Sequence, residues 1–143
     1  MPNHYQNILI CRPAHSRDDY EFDCQSFLEK YGETNLCAMI RPRPKELDDP
    51  SRPHILTDAA YHWQEENWGV TWGTYNTQAF ELKGDGSPVV IAFCTPWGPP
   101  KKMLDVIADW LKRECDFCSV VWIGSEPFNN TTKTLLVSED PSA

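Results

Sequence analysis

The 143-residue chain is 41% hydrophobic and 12% aromatic, enough to bury the core of one domain, which we expect to span residues 1–143. Thirteen basic residues against twenty-one acidic ones give a net charge of −8, which opposes nonspecific binding to nucleic acid. The apolar runs are too short for a membrane helix and the opening residues lack the pattern of a secretory signal, so we expect a cytoplasmic protein.

The first third of the chain alternates between predicted strands and a predicted helix. Residues 7–12 form an apolar run closed by a proline, which is typical of a strand. Acidic residues and helical spacing of apolar ones then predict a helix from a cap at Ser16 to residue 31, with Gly32 as its left-handed stop. Residues 36–40 are an unbroken apolar run and predict a second strand.

An irregular insert is predicted over residues 41–70. Its first part contains Pro42 and Pro44, which force an extended segment that cannot join the centre of a sheet. A short helix over residues 58–67 follows, because Thr57 is a good N-cap and Gly69 can end the helix.

The second half predicts a β-hairpin, a helix and two further strands. Residues 75–83 alternate in polarity, residues 84–87 have the composition of a hairpin turn, and residues 89–95 form the return strand. Pro99 and Pro100 suit the first positions of a helix. An apolar stripe supports that helix: Met103, Val106, Ile107, Trp110 and Leu111. The remaining predictions are a core strand over 117–123 and an edge strand over 132–137.

This order of elements predicts an α+β fold. The nearest named architecture is a ferredoxin-like sandwich, in which two long helices cover one face of an antiparallel sheet. In this chain the sandwich would also contain the short-helix insert at 41–70.

Four sequence motifs occur in a fixed order along the chain. They are Met1-Pro2-Asn3, a Pro-x-Pro-x-Glu-Leu segment at 42–47, Asn-Trp-Gly-x-x-Trp at 67–72, and Thr-Pro-Trp-Gly-Pro-Pro at 95–100. Together they resemble the YubB-type family of ferredoxin-like proteins over essentially the whole chain. The resemblance implies the ferredoxin-like fold and an origin on a plasmid or bacteriophage. It implies no enzymatic activity, cofactor or catalytic residue.

Local motifs for catalysis, metal binding and cofactor binding are weak. Cys115 and Cys118 have the spacing of a redox pair, but Cys115 lies at the predicted end of a helix, where the dipole disfavours a thiolate. We therefore interpret the six cysteines as reduced, mostly buried side chains, and no zinc-type spacing supports a metal site. No nucleophile elbow or phosphate-binding loop accompanies the histidines and serines, so we expect no cofactor and no catalytic residue.

Two tryptophan-containing segments are the main candidates for function. The first tryptophan motif covers residues 67–76 and the second covers residues 95–100. Trp68, Trp72 and Trp97 are most simply explained as core residues that fill the gap between the insert and the sheet. The alternative is that Trp72, Trp97 and Tyr75 form the rim of a groove that binds a partner.

Charged residues give two further candidate surfaces. Arg41 and Arg43, stiffened by the adjacent prolines, could present a peptide-like arm to an acidic or aromatic partner. Asp18, Asp19 and Asp23 belong to an acidic cluster on the first predicted helix. If these carboxylates form one band, they could take the place of phosphates in a nucleic-acid-binding protein.

The sequence thus favours a small, acidic, non-enzymatic interaction protein of a phage or plasmid. Its partner would be a protein, such as a nucleic-acid-binding protein of the bacterial host, whose action it inhibits or modulates. We expect neither direct nucleic-acid binding nor membrane association, and the sequence does not fix the oligomeric state. The alternative is an enzyme or small-ligand binder with a pocket at the tryptophan motifs.

Overall fold

The computed structural model describes residues 4–13, 22–82, 88–126 and 131–139, which form an α+β fold around one antiparallel sheet. The strands are β1 (His4–Pro13), β2 (Tyr75–Glu81), β3 (Val89–Pro96), β4 (Phe117–Glu126) and β5 (Thr131–Glu139). They lie in the order β2-β3-β1-β4-β5, and every neighbouring pair is antiparallel. The α-helices of the described residues are α1 (Cys24–Tyr31), α2 (Leu36–Ile40), α3 (Asp58–Trp68) and α4 (Leu104–Cys115).

The central strand β1 shows how the two faces of the sheet differ. Tyr5, Asn7, Leu9 and Cys11 alternate along it and are all buried. The three apolar ones belong to the same core cluster as the apolar side chains of α1 and α4. The intervening residues point to the opposite side, where Ile8 and Ile10 are only half-buried. We call these the helix-covered face and the outer face of the sheet.

Several predicted elements are confirmed. Helix α3 begins at a Thr57 cap, whose hydroxyl accepts a hydrogen bond from the Ala60 amide at 3.1 Å, and ends at Gly69 with φ of 82°. Strands β2 and β3 pair as the predicted hairpin, whose turn at 84–87 lies outside the described residues. Strand β5 is the predicted edge strand beside β4.

The prediction of one continuous helix from Ser16 to residue 31 is wrong at its N-terminal side. Residue 16 lies outside the described residues, but Asp23 is extended, with φ of −98° and ψ of 103°, and α1 begins only after it. The Asp23 carboxylate caps α1 by accepting hydrogen bonds from the Ser26 amide at 3.2 Å and the Ser26 hydroxyl at 2.8 Å. Gly32 is not the left-handed stop that the sequence predicts, because its φ is −59°.

The apolar run at 36–40 is helix α2, so its prediction as a strand is wrong. The Asn35 side chain accepts a hydrogen bond from the Ala38 amide at 3.2 Å and caps the helix. The Leu36 amide donates to the Thr74 hydroxyl at 2.7 Å, so a residue far along the chain satisfies the first helical N–H. The composition of residues 36–40 suits both a strand and a helix, and the capped first turn determines that they form a helix.

Helix α4 has the predicted apolar stripe but not the predicted start. Met103, Ile107 and Leu111 are buried under the sheet. Pro99 and Pro100 lie in a turn before the helix. The Pro99 carbonyl accepts a hydrogen bond from the Lys101 amide, and the Pro100 carbonyl accepts one from the Met103 amide. Helix α4 begins only at Leu104. Helix α4 has twelve residues and helix α1 has eight.

No helix in the described part of the chain is long and apolar enough to span a membrane.

Candidate functional site

A cleft of about 740 Å³ opens on the helix-covered side of the sheet, between α3 and the β3–α4 connection. Its floor is formed by Tyr5 and Trp122, which are both 4% exposed. Tyr61 and Glu65 line it from α3, and Trp97 lines it from the β3–α4 connection. We call it the Trp97 cleft. The remaining lining residues are Gly69, Val70, Thr71, Pro96, Gly98, Pro99, Lys101 and Leu104.

Trp97 is held on a tight turn with an unusual backbone. The Gly98 amide donates to the Pro96 carbonyl at 2.8 Å, and the central residue has φ of 70°. These two features define a γ-turn with a positive φ at its central residue. This type of γ-turn is strained and rare for any residue, and a bulky side chain at its centre is a clear outlier. The Trp97 side chain is nevertheless 59% exposed. Packing of the indole therefore does not account for the strained backbone.

A buried chain of hydrogen bonds connects this turn to the core. The Trp122 indole N–H donates to Asn7 Oδ1 at 3.0 Å, and Asn7 Nδ2 donates to the Thr95 hydroxyl at 2.9 Å. The Thr95 hydroxyl in turn donates to the Gly98 carbonyl at 2.5 Å. Asn7 and Thr95 are fully buried, so these bonds form away from water. They fix the exit of the turn relative to three strands of the sheet.

The floor of the cleft depends on a glycine. The rings of Tyr5 and Trp122 stack with centroids 6.3 Å apart and planes 11° apart. A Cβ atom on Gly124 would lie 2.2 Å from the Trp122 ring and 2.4 Å from the Tyr5 hydroxyl. Only glycine at this position leaves room for the two rings to form a flat floor.

The α3 wall carries an acidic and an aromatic group. Tyr61 and Glu65 are four residues apart and so lie on the same helix face. A hydrogen bond to the Glu65 carboxylate raises the pKa of the Tyr61 phenol, because the bond favours the neutral phenol that donates it. Tyr61 is 39% exposed, so its ring also remains available to a ligand.

The two tryptophan motifs meet at the closed end of the cleft. A Cβ atom on Gly69 would lie 2.7 Å from the Lys101 amide nitrogen, so the exit of α3 passes directly against the connection into α4. The Lys102 amide also donates to the Trp68 carbonyl at 3.3 Å. Both walls of the cleft are therefore joined through their backbones.

No family model, curated protein or solved structure matches this chain. The assignment of site residues therefore rests on the geometry of the cleft.

The three tryptophans of the motifs occupy three different environments. Trp68 is the core residue that packing preferences predict, since it is 2% exposed and its indole N–H donates to the Arg41 carbonyl at 2.9 Å. For Trp72 and Trp97, at 52% and 59% exposure, the prediction of core burial is wrong. Trp97 lines the cleft, and Trp72 does not.

Tyr75 does not join Trp97 at a common groove rim. It pairs with Cys94 in the hairpin, and its hydroxyl lies 2.6 Å from His4 Nδ1. His4 alternates with Tyr5 on β1 and therefore lies on the outer side, whereas Tyr5 forms the cleft floor. Burial raises the pKa of the Tyr75 phenol.

The charged candidate residues are engaged within the fold or lie outside the described residues. The Arg41 guanidinium donates to the Asn67 carbonyl at 2.9 Å near the end of α3. Arg43 donates to Asp48 at 2.8 Å and also to the Gln64 side chain. Asp18 and Asp19 lie outside the described residues, and Asp23 caps α1, which lowers the pKa of its carboxyl through the hydrogen bonds from Ser26.

All six cysteines are free thiols. Burial raises the pKa of Cys37 and of Cys115 to about 12 and raises that of Cys11 as well. A thiol with a raised pKa is a poor nucleophile, which agrees with the interpretation of these three as structural residues. Within the described ranges, no three His, Cys, Asp or Glu side chains are grouped so that they could hold a metal ion.

Sequence reasoning missed several residues that build the cleft. Asn7 and Thr95 are polar positions in apolar strands, and such a residue signals a buried hydrogen-bond network. Glu65 is exposed, and it also lines the cleft. Tyr5 and Gly124 carry no local signal, because their contact depends on the register between strands.

Proposed function

We propose that the protein is a small non-enzymatic binding protein whose recognition site is the Trp97 cleft and whose ligand is a segment of a partner protein. The observation that carries this proposal is the exposed Trp97 side chain on a strained turn that is hydrogen-bonded to the core. Backbone strain persists only where the surroundings impose it, and such positions cluster at functional sites. A rigidly held indole offers a large contact area at a low entropic cost, and tryptophan is enriched among interface hot spots.

The charge of the protein supports a basic partner. A net charge of −8 attracts basic surfaces over long distances and repels nucleic acid itself. Within the cleft, the Glu65 carboxylate and the Tyr61 and Trp97 rings suit a lysine or arginine side chain of the bound segment. A nucleic-acid-binding protein of a bacterial host is a partner of this kind, and binding would modulate or inhibit it.

The setting of this function follows from the sequence resemblance. We propose that the chain belongs with the YubB-type proteins of phages and plasmids and acts in the cytoplasm of the host. The strand order β2-β3-β1-β4 supports a ferredoxin-like core, with α1 following β1, α4 following β3 and β5 added at the edge. In this architecture the insert at 41–70, which contains α3, is the addition that forms one wall of the cleft.

Affinity capture from a bacterial lysate, with three variants of the tagged protein, tests the proposal. We expect the wild type to capture a stoichiometric protein and Trp97→Ala and Tyr61→Ala to lose it. Trp72→Ala is the matched control, because it removes a tryptophan of similar exposure that does not line the cleft. With the partner identified, loss of a hot-spot residue worth about 2 kcal/mol should weaken binding about 30-fold in a calorimetric titration.

Two outcomes would contradict the proposal. If Trp72→Ala weakens binding as much as Trp97→Ala, the cleft is not the recognition site. If all three variants bind as the wild type does, neither tryptophan contributes to recognition.

The volume of the cleft favours a second candidate, a small-molecule ligand. At about 740 Å³ the cleft lies within the range of about 300–1,000 Å³ that is typical of small-molecule pockets. In that case native mass spectrometry of the purified wild type should show an added mass that Trp97→Ala lacks, and lysate capture should yield no stoichiometric protein.

A further inference from the structure

In the part of the chain that the structure describes, helices cover one face of the sheet, and the outer face is nevertheless apolar at its centre, which is unusual for an antiparallel sheet. Because the strand register is known, the residues that lie side by side on this face can be read directly. One row across four strands is Phe80, Val90, Ile10 and Val121. The next row is Gln78, Ala92, Ile8 and Ile123.

Apart from Gln78, the eight residues of the two rows are apolar, and polar residues flank the rows on β1 and β4. Gln6 lies beyond one row, and Arg12 with Ser119 lies beyond the other. Phe80 is 45% exposed and Leu82, which follows β2, is 52% exposed, whereas Val90 in the same row as Phe80 is 3% exposed. An apolar centre with a polar rim is the anatomy of a protein–protein interface rather than of a solvated surface.

We propose that this outer face is the interface of a homodimer, in which two copies of the chain pack sheet against sheet. The arrangement of the rows supports a second copy as the occupant. Rotation by 180° about an axis that lies between the two copies, in the plane of the interface and parallel to the strands, turns the second face onto the first. It places apolar rows on apolar rows and polar ends over polar ends. The face therefore fits itself, as a two-fold symmetric interface requires.

The size of the face is sufficient for a stable dimer. Strands lie about 4.8 Å apart and rise about 3.4 Å per residue, so the four strands of these rows cover roughly 460 Å² in plan over seven residues. Two such faces, with the relief of their side chains, reach about 1,000 Å², the lower limit for a specific interface.

The distribution of charge permits the same packing although each chain carries a net charge of −8. Strands β1 and β3, at the centre of the face, contain no acidic residue. Most acidic residues of the described part lie in helices and loops, away from the proposed contact. Two copies can therefore meet at this face without bringing carboxylates together, and the Trp97 cleft on the opposite side of the sheet stays open.

Light scattering coupled to size-exclusion chromatography tests the proposal. The wild type should elute with about twice the 16.5 kDa mass of the chain, and Phe80→Glu should elute at the mass of the monomer. Phe80 is suited to this test because a side chain that is already 45% exposed in the monomer can be replaced without unfolding it. Met39→Glu, at 37% exposure on α2, introduces the same charge away from the sheet and should remain dimeric.

A second variant and a second readout guard against effects on folding. Ile10→Glu, at the centre of the face, should also be monomeric, with circular dichroism that confirms a folded chain. The melting temperature of the wild type should rise with protein concentration, and that of Phe80→Glu should not. Two results would overturn the proposal. One is a wild type that is monomeric at 100 µM, which is the result expected if another protein covers this face. The other is a dimer that persists in both Phe80→Glu and Ile10→Glu. Neither result bears on the Trp97 cleft.

Discussion

Asn7 provides the most direct test of how the Trp97 turn is held. Its side chain accepts the Trp122 indole N–H and donates to the Thr95 hydroxyl, and it is fully buried. Replacement of Asn7 by Leu keeps a branched side chain of related shape and removes both hydrogen bonds. It also removes two longer ones, in which Nδ2 donates to the Tyr5 and Phe93 carbonyls at 3.4 Å. The Thr95 hydroxyl can still donate to Gly98, but it loses the donor that orients it.

The expected loss of stability can be estimated from these bonds. A buried donor left without an acceptor costs about 1–3 kcal/mol, and an ordinary hydrogen bond contributes about 1 kcal/mol. Asn7→Leu should therefore lower the free energy of unfolding by about 3 kcal/mol. For a chain of this length, such a loss lowers Tm by about 6–12 °C.

Urea unfolding followed by tryptophan fluorescence measures this loss. The matched control is Gln25→Leu, because Gln25 is an exposed polar residue on α1, away from the outer face of the sheet, and its substitution should change stability by less than about 0.5 kcal/mol. In an amide NMR spectrum, the Trp122 indole N–H should shift in Asn7→Leu only. Equal stability of the two variants would refute the role assigned to the buried hydrogen bonds. A double-mutant cycle with Thr95→Val should give a coupling energy of at least about 0.5 kcal/mol.

Three further predictions concern the turn, the floor of the cleft and the buried thiols. Trp97→Gly should raise Tm by about 2–4 °C, because glycine adopts a positive φ without steric cost, and should abolish partner binding; a lower Tm would contradict the assignment of strain. Gly124→Ala should destabilise the protein by about 1–3 kcal/mol in urea unfolding, whereas Gly98→Ala, whose added Cβ meets no atom within 4 Å, should be neutral. The pKa of Cys37 is raised from 9.0 to about 12, so its contribution to stability is complete below pH 9 and is lost as the pH rises towards 12. Thermal melts between pH 7 and pH 10.5 should show this loss, and Cys37→Ala should reduce the slope; an unchanged slope would contradict it.

The elements that the sequence predicts correctly are those whose signals are local. Helix α3 is predicted at both ends because Thr57 and Gly69 act within one turn of the helix. The alternation of residues 75–83 and the turn composition that follows likewise predict the β2–β3 hairpin. In each case the residues that determine the structure lie within about a dozen positions of one another.

The incorrect predictions concern segments whose structure depends on distant residues. The run at 36–40 suits a strand or a helix equally well, and the helix forms where Asn35 caps it and Thr74 accepts its first amide hydrogen. The start of α4 is delayed because the chain after Pro100 passes against the exit of α3, where Lys102 bonds to the Trp68 carbonyl. A contact across more than thirty positions leaves no periodicity in the sequence.

The Trp97 cleft illustrates the same limit at the level of function. Sequence alone marks Trp97 as a candidate because proline and glycine surround it, but its exposure and its positive φ depend on a turn that Thr95 and Asn7 hold from the core. The strained backbone would relax if those bonds were absent, since exposed indole contributes little packing to hold it. A substitution at Asn7 should therefore weaken partner binding although no partner can touch a fully buried side chain. Stability and recognition are thus coupled through these hydrogen bonds. Trp97→Gly separates the two properties, because it should raise the stability of the protein and abolish partner binding.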